Sequence, residues 1–329
     1  MSGDYAKSPK MIAPTRMWRS RWHSAFKRFG LGLFAAFLLA IAHPSAIWGA
    51  IPIFGACWGF VRPREYIQRP SRFPIMAALL LVILAGAAFC AWVVYGGKTS
   101  NPHNYAAVGD IPTPRGYRRI TGTDVPYATF LRALPLKSKG TRVQFFTGGD
   151  SLFQPIAYAV VDMPLLSNAE QCADVCMRLR AEYLFNARQY GRISFKDVNG
   201  HTLNYEGGAS RKALESYLRK LYGVASTFSL SREMETRQLK DIQPGDVFVY
   251  PAGRYGLKMG HAIMVVDVAE NAKGRKVFLL AEGNTPARNI HVMRNLLAPL
   301  YSPWFMLDDD ADYLLLDGIP FKATDLKRF

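Results

Sequence analysis

The sequence predicts an α+β domain over residues 117–329, preceded by α-helical transmembrane segments, and three observations carry that expectation. A capped helical pattern begins at Ser167, where Ser167 and Glu170 read as a capping-box pair and Leu179, Tyr183 and Leu184 help supply an apolar face. The runs Val247 to Tyr250, His261 to Val268 and Lys276 to Ala281 have the length and the β-branched or aromatic content of strands, with a turn over Ala269 to Gly274 joining the last two. A helix followed by strands that adjoin through tight turns is an α+β order. The third observation is a pair of apolar tracts, 29–61 and 73–95, of membrane dimensions.

With 50% hydrophobic residues, a chain of 329 can bury a substantial core and has room for two or three domains. Its charge is unevenly spread. Residues 1–72 hold eleven Lys and Arg against Asp4 and Glu65, which is +9 of the total +16. A basic excess beside apolar runs reads as a topology signal. No stripe of Arg and aromatics stands out in the remainder, which argues against a nucleic-acid partner. Four cysteines, two of them (Cys57 and Cys90) inside the apolar tracts, make no disulfide framework.

In order, residues 1–28 read as a basic cytoplasmic tail. Residues 29–61 form an apolar tract broken at His43-Pro44-Ser45. At about 1.5 Å per residue this tract is long for one crossing of a core roughly 30 Å thick, and each half is short for one. One kinked helix, a re-entrant hairpin and two short crossings compete. The basic cluster at 62–72 belongs on the same side as the tail, which favours the hairpin. Residues 73–95 are of ordinary spanning length, with Trp92 and Tyr95 at an interface. On this reading the bilayer is a partner and the chain is a multi-pass protein of the bacterial inner membrane with its C-terminal domain periplasmic. Residues 96–116 read as a linker. Within 117–329, Phe130 to Leu134 reads as a short helix, Arg142 to Phe146 and Ile156 to Val161 as strands, Ser167 to Tyr190 and Arg211 to Tyr222 as helices, Asn289 to Met293 and Asp312 to Leu316 as strands, and Asp325 to Arg328 as a helical turn.

The chemistry-bearing residues are far apart along the chain. Cys172 falls in the first turn or two of a capped helix, where free backbone N–H groups and the positive end of the macrodipole favour a thiolate. His261 opens one strand and Glu282 closes its neighbour, so an imidazole base and a carboxylate that orients it can meet at one sheet edge. The amides near Gln171 and Cys172 would then face a developing oxyanion. Asn284 and His291 are rivals for the orienting role. A zinc site of Cys172, Cys176, His261 and His291 rests on a single Cys-x3-Cys pair, so no metal or cofactor is expected.

The order of Cys at a helix start, His opening a strand and an acid closing the next resembles the papain-like superfamily in its bacterial forms, the NlpC-type and CHAP amidase-endopeptidases and the transglutaminase-like proteins. Gly245-Asp246-Val247-Phe248 followed by Gly260-His261-Ala262 is similar to the strand pair of those enzymes. More closely, residues 117–329 resemble an uncharacterised bacterial family of unknown function. The carrying phrases are Gln171-Cys172-Ala173-Asp174, Met177 to Leu184, Gly260-His261-Ala262, Val265 to Asn271 and Ser302-Pro303-Trp304. Members of that family commonly carry Gln where this chain has Glu282. The resemblance implies a papain-like fold with a central antiparallel sheet. It also implies a membrane-anchored cysteine hydrolase acting on an amide in a cell-wall peptide or protein. The alternative is an inactive module of the same fold that docks a membrane protein during envelope assembly.

Overall fold

The computed structural model describes residues 80–88, 99–151, 154–254, 257–306, 313–316 and 319–329. The chain divides into two compact units, Met1–Leu84 and Ala85–Phe329. Residues 80–88 are helical and largely exposed. The membrane expectation is overturned: among the described residues no helix is long and apolar enough to cross a bilayer. The 29–61 tract lies outside the described residues, as does most of 73–95. Neither a multi-pass inner-membrane placement nor a lipid-bilayer partner has structural support.

The second unit is sheet-rich α+β. Its helices are α1 (Val125–Arg132), α2 (Cys172–Asn186), α3 (Arg211–Tyr222) and α4 (Thr227–Glu233). Seven strands of the main sheet run in the order β2 (Ala157–Val160), β9 (His291–Met293), β8 (Lys276–Glu282), β7 (His261–Asn271), β6 (Val247–Tyr250), β13 (Leu326–Arg328) and β5 (Glu235–Thr236). Two more strands, β1 (Tyr117–Ile120) on β7 and β10 (Phe305–Met306) on β8, complete nine. All of its pairings are antiparallel. Small hairpins β3–β4 (Ser194–Lys196, Thr202–Asn204) and β11–β12 (Tyr313–Leu316, Ile319–Lys322) stand apart from it.

The central strands are apolar at most positions on both of their faces because both faces of the sheet are covered. Val247, Val249, Ala262, Met264, Leu279 and Ala281 pack with the Ala173, Cys176 and Met177 side of α2. Their alternates Phe248, Tyr250, Ile263, Val265, Phe278 and Leu280 pack with Leu314, Leu316 and Phe321 of the β11–β12 hairpin. β7 carries a bulge between Val265 and Asp267 that turns Asp267 into a buried position. There Arg119 Nε reaches Asp267 Oδ2 at 2.6 Å and Arg132 reaches Oδ1 at 2.7 Å, tying β1 and α1 to the sheet.

Several expected elements moved. Residues 142–146 form only isolated bridges, Gln144 with Asp150 and Phe145 with Arg288. The chain end expected to be a helical turn is β13, inserted between β6 and β5, because Leu326 is buried beside Phe248 and Arg328 clamps buried Asp246 at 2.6 and 2.9 Å. The helix expected from Ser167 starts at Cys172. Glu170 does not cap it but is wholly buried, accepting the Leu166 N–H at 2.7 Å and pairing with Arg178 at 2.7 Å. The N-cap is Gln171, whose N–H is taken by Asp174 Oδ2 at 2.9 Å. Just beyond its C-terminus, Arg188 adopts a left-handed φ of 57° that stops the helix.

Asp267→Ala leaves two arginines without their buried counter-ion and is expected to cost about 3–5 kcal/mol in denaturant unfolding. Removing the exposed i,i+4 partner of Arg219 by Glu215→Ala is expected to change stability by less than about 0.5 kcal/mol. Equal effects would refute the anchoring role of Asp267.

Candidate active site

Three chain segments converge where β7 begins and β8 ends. His261 and Tyr250 are register partners at the mouth of the β6–β7 pair. Gly260 is required there, since a Cβ would lie 2.4 Å from the Tyr250 carbonyl oxygen and 2.3 Å from Thr227 Oγ1. Glu282, the last residue of β8, pairs with His291 of β9. The residue after it is Gly283, where a Cβ would meet Val175 Cγ2 at 2.6 Å. Its bare backbone lets the end of β8 lie against the first turn of α2, and that turn starts with Cys172.

His261 Nε2 lies 2.7 Å from Glu282 Oε2. The Cys172 side chain is the other group close enough to act on the protonation of the ring. Cys172 and His261 are each 6% exposed and Glu282 is wholly buried, so one edge of the group touches solvent. Burial acts to lower the His261 pKa. Hydrogen bonds to Cys172 and Glu282, and their charges, more than offset it and hold the ring up at about 10. Burial likewise works against the Glu282 charge, but hydrogen bonds and charge from His261 and His291 keep its carboxyl far below the usual range.

The other expected site residues gather around Glu282 Oε1. Asn284 Nδ2 approaches it at 3.4 Å and His291 Nε2 at 3.4 Å. His291 Nδ1 lies 3.0 Å from the Asn289 carbonyl oxygen. Neither residue displaces Glu282 as the partner of His261. Gln171 meets Thr285, its Oε1 accepting from Thr285 Oγ1 at 2.8 Å. Cys176 is fully buried with its Sγ 3.5 Å from the Cys172 carbonyl oxygen, and burial pushes its thiol well up. The zinc alternative fails, because among the described residues no group of three or more His, Cys, Asp or Glu is arranged to hold a metal ion.

Sequence reasoning missed Arg288. Its Nη2 lies 3.5 Å from Glu282 Oε1 and its Nη1 donates to Ser151 Oγ at 3.1 Å. It also missed Thr285 and Gly283 as fitting pieces; only the small residue next to an acid hinted at close approach. A surface groove of about 780 Å³, lined by Thr236, Arg237, Lys240, Glu270, Lys276 and Thr324 among others, contains none of the three converging residues.

Gly283→Ala is expected to cost about 1–3 kcal/mol by overpacking, and to slow alkylation of Cys172 by moving α2 from the end of β8. Adding Val175→Ala makes room and is expected to restore the alkylation rate; a single variant as stable and reactive as the parent would refute this contact. The His261–Glu282 pair also sets a pH dependence. With its folded pKa near 10 against about 6.5 unfolded, His261 contributes stability that is complete below about 6.5 and lost as pH rises through about 10. The share of Glu282, whose pKa is depressed, is present above the ordinary carboxylate range and lost only at lower pH. Between pH 7 and 10 the unfolding midpoint is therefore expected to fall more steeply in the parent than in Glu282→Gln. Parallel curves would show that the pair does not couple to folding.

No curated protein and no solved structure matches this chain. The comparisons supply no link to papain-like, NlpC-type or CHAP enzymes, so the papain-like part of the expected fold class is withdrawn and sheet-rich α+β stands. The model of the family described as "Domain of unknown function (4846)" matches residues 109–209 and 206–328, roughly two thirds of the chain. Cys172, His261 and Glu282 all lie within those stretches, and this chain belongs to that family.

Proposed function

We propose that Cys172, His261 and Glu282 form the active site of a thiol-dependent hydrolase that cleaves an amide in a peptide or protein. The single observation that carries this reading is the buried chain of contacts from the Cys172 side chain through the His261 ring to Glu282 Oε2. A nucleophile, a base within its reach and a third group that orients the base are what covalent acyl transfer needs. With its raised pKa His261 already carries the proton that the thiol has given up, and the sulfur attacks the carbonyl carbon. The Cys172 N–H at the start of α2 serves the developing oxyanion, since the neighbouring Gln171 N–H is already taken by Asp174. His261 then returns the proton to the leaving amine as the C–N bond breaks, which leaves a thioester. Water, deprotonated by the same ring, hydrolyses the thioester and frees the sulfur.

A second reading, a binding module with relic site residues, draws on the near closure of the group, with Cys172 and His261 each 6% exposed. Chemistry separates the two. A small electrophile at mildly acidic pH is expected to label Cys172 and spare Cys176, since an activated thiolate is the species that reacts there. On a panel of peptide amides, Cys172→Ala and His261→Ala are each expected to lower kcat/KM by at least about 10³-fold, with the unfolding midpoint of Cys172→Ala nearly unchanged. Turnover retained in Cys172→Ala would remove the enzyme reading, and equal labelling of both thiols would favour the module.

A further inference from the structure

Glu282 is wholly buried, and its charge needs an opposite charge at every stage of a reaction. Its nearest partner, His261, is a cation for only part of the proposed cycle: the ring carries its proton in the resting site and while the sulfur attacks, and is neutral once it has given that proton to the leaving group. The groups that face Glu282 are few among the described residues. From β7 there is His261, from β9 His291, from the loop between β8 and β9 Asn284 and Arg288, and from α2 the thiols Cys172 and Cys176. Asn284 carries no charge, the thiols can add only negative charge, and His291, 3.4 Å away, is an imidazole that holds a charge only while protonated. Arg288 stands out, because a guanidinium keeps its charge at every working pH.

Its placement supports that use. Nη2 lies 3.5 Å from Glu282 Oε1, on the side of the carboxylate away from His261, which holds Oε2 at 2.7 Å. Nη1 is fixed by Ser151 Oγ at 3.1 Å, and Ser151 is itself 2% exposed, its N–H donating to the Val143 carbonyl at 2.8 Å. The backbone around Arg288 is tied down as well, through the bridge to Phe145. The Arg288 side chain is only 12% exposed, so water screens its charge little. Nε makes no hydrogen bond, which shows that the side chain is not spent on a two-pronged ion pair elsewhere.

We infer that Arg288 is the constant cation of this site: it keeps Glu282 ionised while His261 gains and loses its proton, and so acts as a positioning residue for the Cys172–His261 pair. The inference rests on the enzyme reading above and deepens it.

The test follows alkylation of Cys172 by iodoacetamide against pH in the full chain, with the labelled cysteine identified by peptide mass. The direction of the shift decides. If Arg288→Gln lets Glu282 take up a proton, the His261 imidazolium loses its counter-charge, the thiol keeps its proton to higher pH, and the reactivity midpoint rises by about one pH unit or more. Arg288→Lys, which keeps the charge, is expected to restore the parent midpoint. If Glu282 stays ionised without Arg288, removal of a neighbouring cation holds the imidazolium better, and the midpoint stays or falls; that result would overturn the inference. A variant that does not fold leaves a second measurement on a chain that retains Arg288. In His261→Ala at pH 7, the infrared carboxyl band assigned by difference from the matching Glu282→Gln spectrum should be that of the ionised form, and a neutral carboxyl band would overturn the inference equally. Undiminished turnover in Cys172→Ala sinks the enzyme reading, whereas normal selective labelling with no upward shift in Arg288→Gln sinks the Arg288 assignment alone.

Discussion

The site depends on one buried carboxylate. Glu282 has no exposure to water, yet four side chains direct nitrogen atoms at its two oxygens. An isolated carboxylate in such surroundings would take up a proton. Here hydrogen bonds and positive charge reverse that tendency and hold its carboxyl far below the ordinary range, while Cys172 together with the hydrogen bond and charge of Glu282 raises His261 to about 10. The two shifts share one interaction, to which His291 adds on the Glu282 side and Cys172 on the His261 side.

That interaction needs a scaffold that brings distant segments within hydrogen-bond reach. The antiparallel β6–β7–β8 unit sets His261 and Glu282 at one end of the sheet. The sulfur comes from a helix outside the sheet, and two glycines set how closely the pieces approach. Gly260 lets the chain entering β7 pass the end of β6, and Gly283 lets the chain leaving β8 touch α2. A helix that begins at Cys172 places the thiol at the very start of the first turn, nearer the free N–H groups than a start at Ser167 would. Asp174 takes the Gln171 N–H, so the cap lies beside the Cys172 thiol.

The same pattern of a buried acid held by arginine recurs away from the site. Asp267 with Arg119 and Arg132, Asp246 with Arg328, and Glu170 with Arg178 each fix a peripheral segment to the centre. Such pairs add little net stability over well-packed apolar residues, but breaking one leaves an uncompensated buried charge. They tie the outlying β1, α1 and β13 to the sheet.

By itself the sequence determined those elements whose signals are local. Arg211 to Tyr222 was legible as a helix and matches α3 to the residue, and the apolar runs named β6, β7 and β8 to within a few positions. It also singled out Cys172, His261 and Glu282, because a thiol, an imidazole and a carboxylate at element ends are visible as residue types, and the fold brings the three side chains together. Tertiary structure decided the rest. Whether Ser167 or Gln171 caps α2 depended on Glu170 finding Arg178, and β13 is a strand because β6 offers Leu326 a buried partner and Asp246 awaits Arg328. Arg288 had no signal at all along the chain. Its part in the site follows from a distance of 3.5 Å to Glu282, and distances between side chains arise only when the loop after β8 packs against residues 145 and 151.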